Sequence, residues 1–173
     1  MHRSGFAALL GFLVAVSPPA YAQRLAPPER STSPEDITVS ITAKAGGKSY
    51  EASGGGTCQH APDASIRGAS ASLWLVQFAG SGKGKGGVKQ LNLTLWRLKD
   101  GDSDQLSFAL ETKSGSYRIE TGGPGESAGE GTVTILPSGP GGRLEVSGKE
   151  ANGKPIQVTI DCSAFADVAS EGG

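Results

Sequence analysis

The chain has 173 residues, with 16 Lys+Arg set against 17 Asp+Glu and 27 glycines. So even a charge balance excludes a nucleic-acid partner and any general attraction to anionic membranes. Glycine is well above ordinary usage, and the apolar residues are sparse but clustered, which favours short strands over a disordered chain.

The N-terminus carries the three parts of a secretory signal. His2 and Arg3 open it, an apolar run follows from Phe6 to Val16, and Ser17-Pro18-Pro19 breaks the run ahead of Ala20-Tyr21-Ala22. The run is too short to span a bilayer, which takes about 20 apolar residues. Residues 1–22 are therefore expected to be a cleavable signal peptide, cut after Ala22. The mature chain is expected to be periplasmic or secreted, with no transmembrane segment after cleavage. No cysteine near the cut indicates a lipid anchor.

Residues 23–35 (QRLAPPERSTSPE) are rich in Pro, Ser and charge and are expected to form an extended linker. A single domain is expected over 36–166. In it, Ile37, Val39 and Ile41 alternate with polar residues as a half-buried strand does. Gly46-Gly47 is a turn signal leading to Ser49–Ala52. Ser72–Phe78 (SLWLVQF) is nearly continuous, as in a strand covered on both faces. Leu91, Leu93 and Leu95, then Leu106, Phe108 and Leu110, flank the turn chemistry of Asp100–Asp104 and predict a hairpin over 90–112. A phase change at Trp96–Leu98 predicts a bulge there. Shorter strands are expected at Tyr117–Ile119, Val133–Ile135 and Leu144–Val146, and a final one with Ile156, Val158, Ile160 and Cys162 all inward. Residues 167–173 are expected to be a disordered tail.

No helical period is sustained outside the signal. About eight or nine short strands separated by Gly, Pro and Asp turns predict an all-β fold, an antiparallel β-sandwich or small barrel. Cys58 and Cys162 both lie in the exported part, where a disulfide is the default, and this pair closes a loop of about 100 residues.

Several motifs invite functional readings. Gly80–Gly87 resembles a phosphate-binding loop, but neither Lys83 nor Lys85 is followed by Ser or Thr. The loop is expected to be a basic hairpin loop whose two lysines touch an anionic surface at most weakly. Asp100, Asp102 and Asp104, with Glu111, fit an EF-hand count. However, Gln105 stands where Gly is needed, and the strand residues Leu106–Leu110 fill the back half of the loop. A loose calcium site on the three aspartates alone is the residual metal candidate. His60 is the sole histidine after export, expected in a loop beside the disulfide. A hydrolase would have to use it, with Asp63 near in sequence, or else a carboxylate such as Glu111. There is no Gly-x-Ser-x-Gly elbow. Asn92-Leu93-Thr94 is a glycosylation sequon by pattern, but it lies in a predicted strand and is read as chance. Trp74, Trp96, Phe78, Phe108 and Tyr117 are expected to pack the core; if Trp96 faces outward, as its parity with Asn92 and Thr94 suggests and the bulge leaves open, it helps form a ligand surface for a sugar, peptide or lipid.

Tyr50–Cys58 (YEASGGGTC), short Gly/Ser-rich strands, Arg143–Gly148 and a final Ile156–Cys162 (IQVTIDC) together resemble the LpqH-like lipoprotein antigens of actinobacteria. That resemblance implies a small envelope β domain without catalysis. The chain lacks the lipidated cysteine that such proteins carry after their signal. The expectation is thus an exported non-catalytic β domain of the bacterial cell envelope, without cofactor, binding an envelope component or protein partner. The alternatives are a small carrier of an apolar ligand lined by Trp74 and Phe78, and a hydrolase.

Overall fold

Alternation of apolar and polar residues builds most of the structure, a computed structural model that describes residues 37–80, 87–100, 104–122 and 128–168. The strands are β1 (Thr38–Ala45), β2 (Lys48–Ile66), β3 (Ala69–Ala79), β4 (Val88–Leu98) and β5 (Gln105–Thr112). They continue with β6 (Gly115–Thr121), β7 (Glu130–Ser138), β8 (Gly141–Lys149), β9 (Pro155–Cys162) and β10 (Ala166–Asp167). Nine of them form one antiparallel sheet in the order β6-β5-β4-β3-β2-β1-β9-β8-β7, and β10 pairs with β2 in parallel. The two ends of this order meet where Glu120 and Ala128 exchange backbone hydrogen bonds of 2.9 and 3.0 Å. The sheet is therefore nearly closed into a barrel, the arrangement that removes exposed edges. Among the described residues no helix is long and apolar enough to cross a membrane.

The inner positions of the strands make one continuous core. Val39 and Ile41 of β1, Leu91, Leu93 and Leu95 of β4, Phe108 of β5 and Ile156, Val158 and Ile160 of β9 are all buried in it. Each such side chain contributes about 1.5–3 kcal/mol of transfer free energy. The strict alternation Ile156, Val158, Ile160, Cys162 fixes which face of β9 is inside, because a one-residue slip would turn all four to solvent.

β2 joins the two halves of the sheet. Its first part pairs with β1 as far as Gly55, and from Gly56 onward it pairs with β3. A Cβ on Gly56 would lie 2.7 Å from both the Gln77 carbonyl and a Val39 methyl, so glycine is required where the strand passes between halves. Beyond this point Cys58 is bonded to Cys162 at the end of β9, with Cα atoms 6.2 Å apart. This is the disulfide expected from the sequence, and both cysteines are buried in the core.

Three features differ from the sequence-based expectation. β2 runs on through Ile66, and His60 sits in this strand instead of in a loop. The segment SGGGTCQHAPDAS is loop-like in composition, but Ser53–Gly55 pair with β1, the backbone from Gly56 pairs with β3 across a register shift at Ala61/Ala64, and β10 lies along Gln59 and His60 on the other side. Secondly, there is no bulge at Trp96–Leu98. Trp96, Arg97 and Leu98 pair in register with Leu73, Ser72 and Ala71, and the irregularities fall at Val88/Gln90 and Ala61/Ala64. Thirdly, Asp167, expected in the tail, belongs to β10. The expected signal, the linker and the residues after Val168 lie outside the described residues.

Candidate binding face

The outward positions of β2–β5 form the most distinctive surface of the molecule. Cross-strand pairing aligns Ala61, Leu73, Trp96 and Gln105 in one row. Gln59, Leu75, Thr94 and Ser107 make the next row, and Thr57, Gln77, Asn92 and Ala109 a third. No row contains a charged side chain. Charges return only at the margins, as the pairs Lys89–Glu111 at 3.2 Å, Lys99–Asp63 at 2.7 Å, and Arg118–Glu120 on β6.

This face carries its own apolar cluster. Ala71 and Leu73 are 0% and 8% exposed, yet neither belongs to the inner core. Outer-face neighbours must therefore cover them, and the large side chain opposite Leu73 is Trp96, which is half-buried. The apparent phase change at Trp96–Leu98 has the same cause. Trp96 and Leu98 are apolar because they face this second cluster, while Arg97 between them points to the inside. Trp96 thus faces outward, as its parity implies. Two shallow open grooves of about 580 and 250 Å³ lie on the same face and share Gln90 and Asn92.

The inner face ends at one mouth of the barrel in a ladder of side chains. His60 stacks on Trp74 with ring centroids 4.3 Å apart and planes 15° from parallel. Phe165 meets His60 edge-on at 6.5 Å. From the neighbouring strand Arg97 lies over the Trp74 ring, 5.7 Å from its centroid. Its Nη2 donates to Asp104 at 2.8 Å and to the Val133 carbonyl at 3.0 Å, tying β4 to β7 across the barrel's open side. Hydrogen bonding to Asp104 holds the guanidinium above its ordinary pKa, against the opposing effect of burial. Burial lowers the pKa of His60, with Asp167 acting the other way, and the buried Nε2 of His60 has no hydrogen-bond partner. Elsewhere in the barrel the Tyr50 and Tyr117 hydroxyls lie 3.2 Å apart, and Tyr117 donates to the Ala45 carbonyl. Tyr117 is pushed up to about 12 by its hydrogen bond with Tyr50 and then by burial.

The structure separates most of the candidates read from the sequence. Asp104 is engaged by Arg97 and Asp102 lies outside the described residues. Among the described residues no group of three or more His, Cys, Asp or Glu side chains is placed to hold a metal. Asp63 pairs with Lys99, whose hydrogen bond lowers its pKa, while His60 pairs across β2–β3 with Trp74. Glu111 stands on the exposed side of β5, bonded to Lys89. Lys83 and Lys85 lie outside the described residues. The sequence reading missed Arg97, Leu73 and the amides Gln59, Gln77 and Gln105. The signal available for them was the run of uncharged outward positions on adjacent strands, which becomes visible only once the register is known.

Compared with known proteins, the chain matches no family model, no curated protein and no solved structure.

Proposed function

We propose that this chain is an exported, non-catalytic β domain of the bacterial cell envelope that binds an envelope component or protein partner through the outer face of β2–β5. The observation that carries this reading is the uncharged face itself, with Ala71 and Leu73 buried outside the core and Trp96 beside them. Such a face has no ions to strip of water, so a partner that satisfies its amides and hydroxyls docks without a charge-desolvation penalty, and aromatic residues supply much of the contact energy of interfaces. The buried disulfide suits an oxidising compartment. The resemblance to the LpqH-like antigens points in the same direction. The continuous inner core of buried side chains favours binding on the outside over carriage of an apolar ligand within.

The test is capture from an envelope fraction by immobilised wild type and by Trp96→Ala, with folding checked by near-UV circular dichroism. A partner retained by the wild type and lost by the variant is the expected result. Equal recovery by both proteins would remove the face from the function.

A further inference from the structure

We infer that the occupant of this face is an uncharged glycan chain, laid along β4 from Trp96 towards Asn92 and Gln90. This rests on the outer-face reading above and specifies its ligand. The face offers one aromatic platform, a few aliphatic neighbours and a series of neutral hydrogen-bonding groups. Gln59, Gln77, Asn92 and Gln105 each present a carbonyl acceptor and an amide donor, and Thr57, Thr94 and Ser107 add hydroxyls. A sugar ring matches this set. Its C–H face is apolar and suits an indole, while its equatorial hydroxyls both donate and accept.

Other occupants fit less well. A peptide added as a strand needs free backbone groups at a sheet edge. Here β3, β4 and β5 are each paired on both sides, so along the Trp96–Gln90 track no backbone edge is offered; the one-sided stretch of β2 beyond His60 lies away from it. An anionic or cationic polymer would meet charge only at the margin, where Glu111 and Arg118 each have an opposite partner in Lys89 and Glu120. An acyl chain would have to lie over these rows of amides and hydroxyls and leave them unsatisfied.

The geometry also sets a length. Trp96 and Asn92 are four residues apart on an extended strand, about 13 Å. The two grooves that share Gln90 and Asn92 extend the track on either side of β4, to Thr57 and Gln77 on one side and to Ala109 and Ser116 on the other, where Glu111 and Arg118 mark its charged margin. The site therefore takes a chain of several sugars in preference to a single one.

The chain has only two tryptophans, so Trp74→Phe leaves Trp96 as the sole indole reporter. This protein would be titrated with linear hexasaccharides of glucose, mannose and N-acetylglucosamine, and with a galacturonate hexasaccharide as the anionic control. At least one neutral hexasaccharide should change Trp96 fluorescence saturably and shift the side-chain amide signals of Asn92 and Gln77. The monosaccharides and the anionic control should not, and high salt should leave the affinity unchanged. In the otherwise native chain, monitored by calorimetry, Trp96→Ala should weaken binding about tenfold, the value of one good stacking contact. Asn92→Ala, which leaves the apolar cluster intact, should weaken it severalfold. Failure of every neutral hexasaccharide to bind, or binding that Trp96→Ala and Asn92→Ala both leave unchanged, overturns the proposal. If Trp96-dependent capture of an envelope protein persists alongside that failure, the face remains an interface and only the glycan is wrong. If neither glycan nor protein depends on Trp96, both readings fall.

Discussion

The two halves of the barrel bury similar inner faces and present very different outer ones. The outer face of β1, the start of β2 and β7–β9 is studded with charge: Lys44, Glu51 and Glu145 are exposed, and Arg143–Asp161 and Lys149–Glu130 pair across strands. The outer face from the second part of β2 to β5 has none between its margins. Charged side chains are the ordinary covering of a solvated sheet face, and they blunt unwanted contacts. A half that omits them, and buries Leu73 under outward-facing neighbours, is prepared for contact in a way the other half is not. The comparison depends on the two halves being held rigidly together. They are joined by β2 and its disulfide on one side and by Arg97 reaching to β7 on the other.

The largest expected effect comes from cutting the first of these joints. Cys58 and Cys162 are 104 residues apart. The loop-closure entropy of about 100 residues corresponds to about 4.7 kcal/mol, an upper figure because real bridges deliver less. The double variant Cys58→Ala/Cys162→Ala should lose much of the stability of a small domain, read as a fall in denaturant midpoint. If the midpoint holds, the halves are secured by β2 alone.

Arg97→Ala cuts the second joint. It removes the donor to the Val133 carbonyl, frees Asp104 and uncovers one side of Trp74. Guanidinium and carboxylate are 39% and 32% exposed, so the ion pair itself is screened and contributes little. Most of an expected loss of about 2 kcal/mol comes from the unsatisfied carbonyl and the lost packing. Asp104→Asn, which spares both, should cost well under half as much. Equal losses in the two variants would place the energy in the ion pair and contradict this account.

The fold class was legible in the sequence because periodicity sets it. β1, β4, β5 and β9 each alternate over at least six residues, and the cysteine pair followed from compartment and count. The second half of β2 was not legible, since its stretch from Gly54 to Asp63 is loop-like in composition and is carried as a strand by pairing with β1 and β3, with a register shift at Pro62-Asp63. The candidate face was legible at one residue. Parity pointed Trp96 outward against an expectation that the aromatics pack the core, and Leu73 stood in a run read as covered on both faces. The absence of charge across four strands is a property of register, which no single strand displays. Arg97 was hidden for the opposite reason. A charged residue at an inward position breaks the alternation, and its partners Asp104, Trp74 and Val133 come from separate parts of the chain.

A smaller effect tests the ladder at the barrel mouth, where β10 rests on β2. Burial keeps the folded-state pKa of His60 below its ordinary value, with Asp167 of β10 opposing; Arg97, over the Trp74 ring on which His60 stacks, is a further charged group at this mouth. The unfolded chain therefore binds a proton that the folded chain refuses, between about 6.5 and the lower folded value. Stability should be level above that window and fall as the pH drops through it. His60→Phe keeps a stacked ring and should flatten this part of the profile, as read from urea midpoints against pH. A wild type that gains stability on acidification would mean that Asp167 outweighs burial.

The smallest expected effect on stability is also the sharpest test of the difference between the two faces. Thr94→Lys puts one charge at the centre of the β2–β5 face, and Thr42→Lys puts the same charge on β1 beside Lys44 and Glu51. Both positions point outward, so each variant should stay within about 0.5 kcal/mol of the wild type. Binding should separate them. In Thr94→Lys the new ammonium group would sit amid neutral amides, where docking strips its water without supplying an anion, so affinity should fall by about tenfold or more. On the already charged face the same change should leave affinity untouched. If both substitutions weaken binding equally, the partner is reading net charge, and the contrast between the faces has no part in recognition.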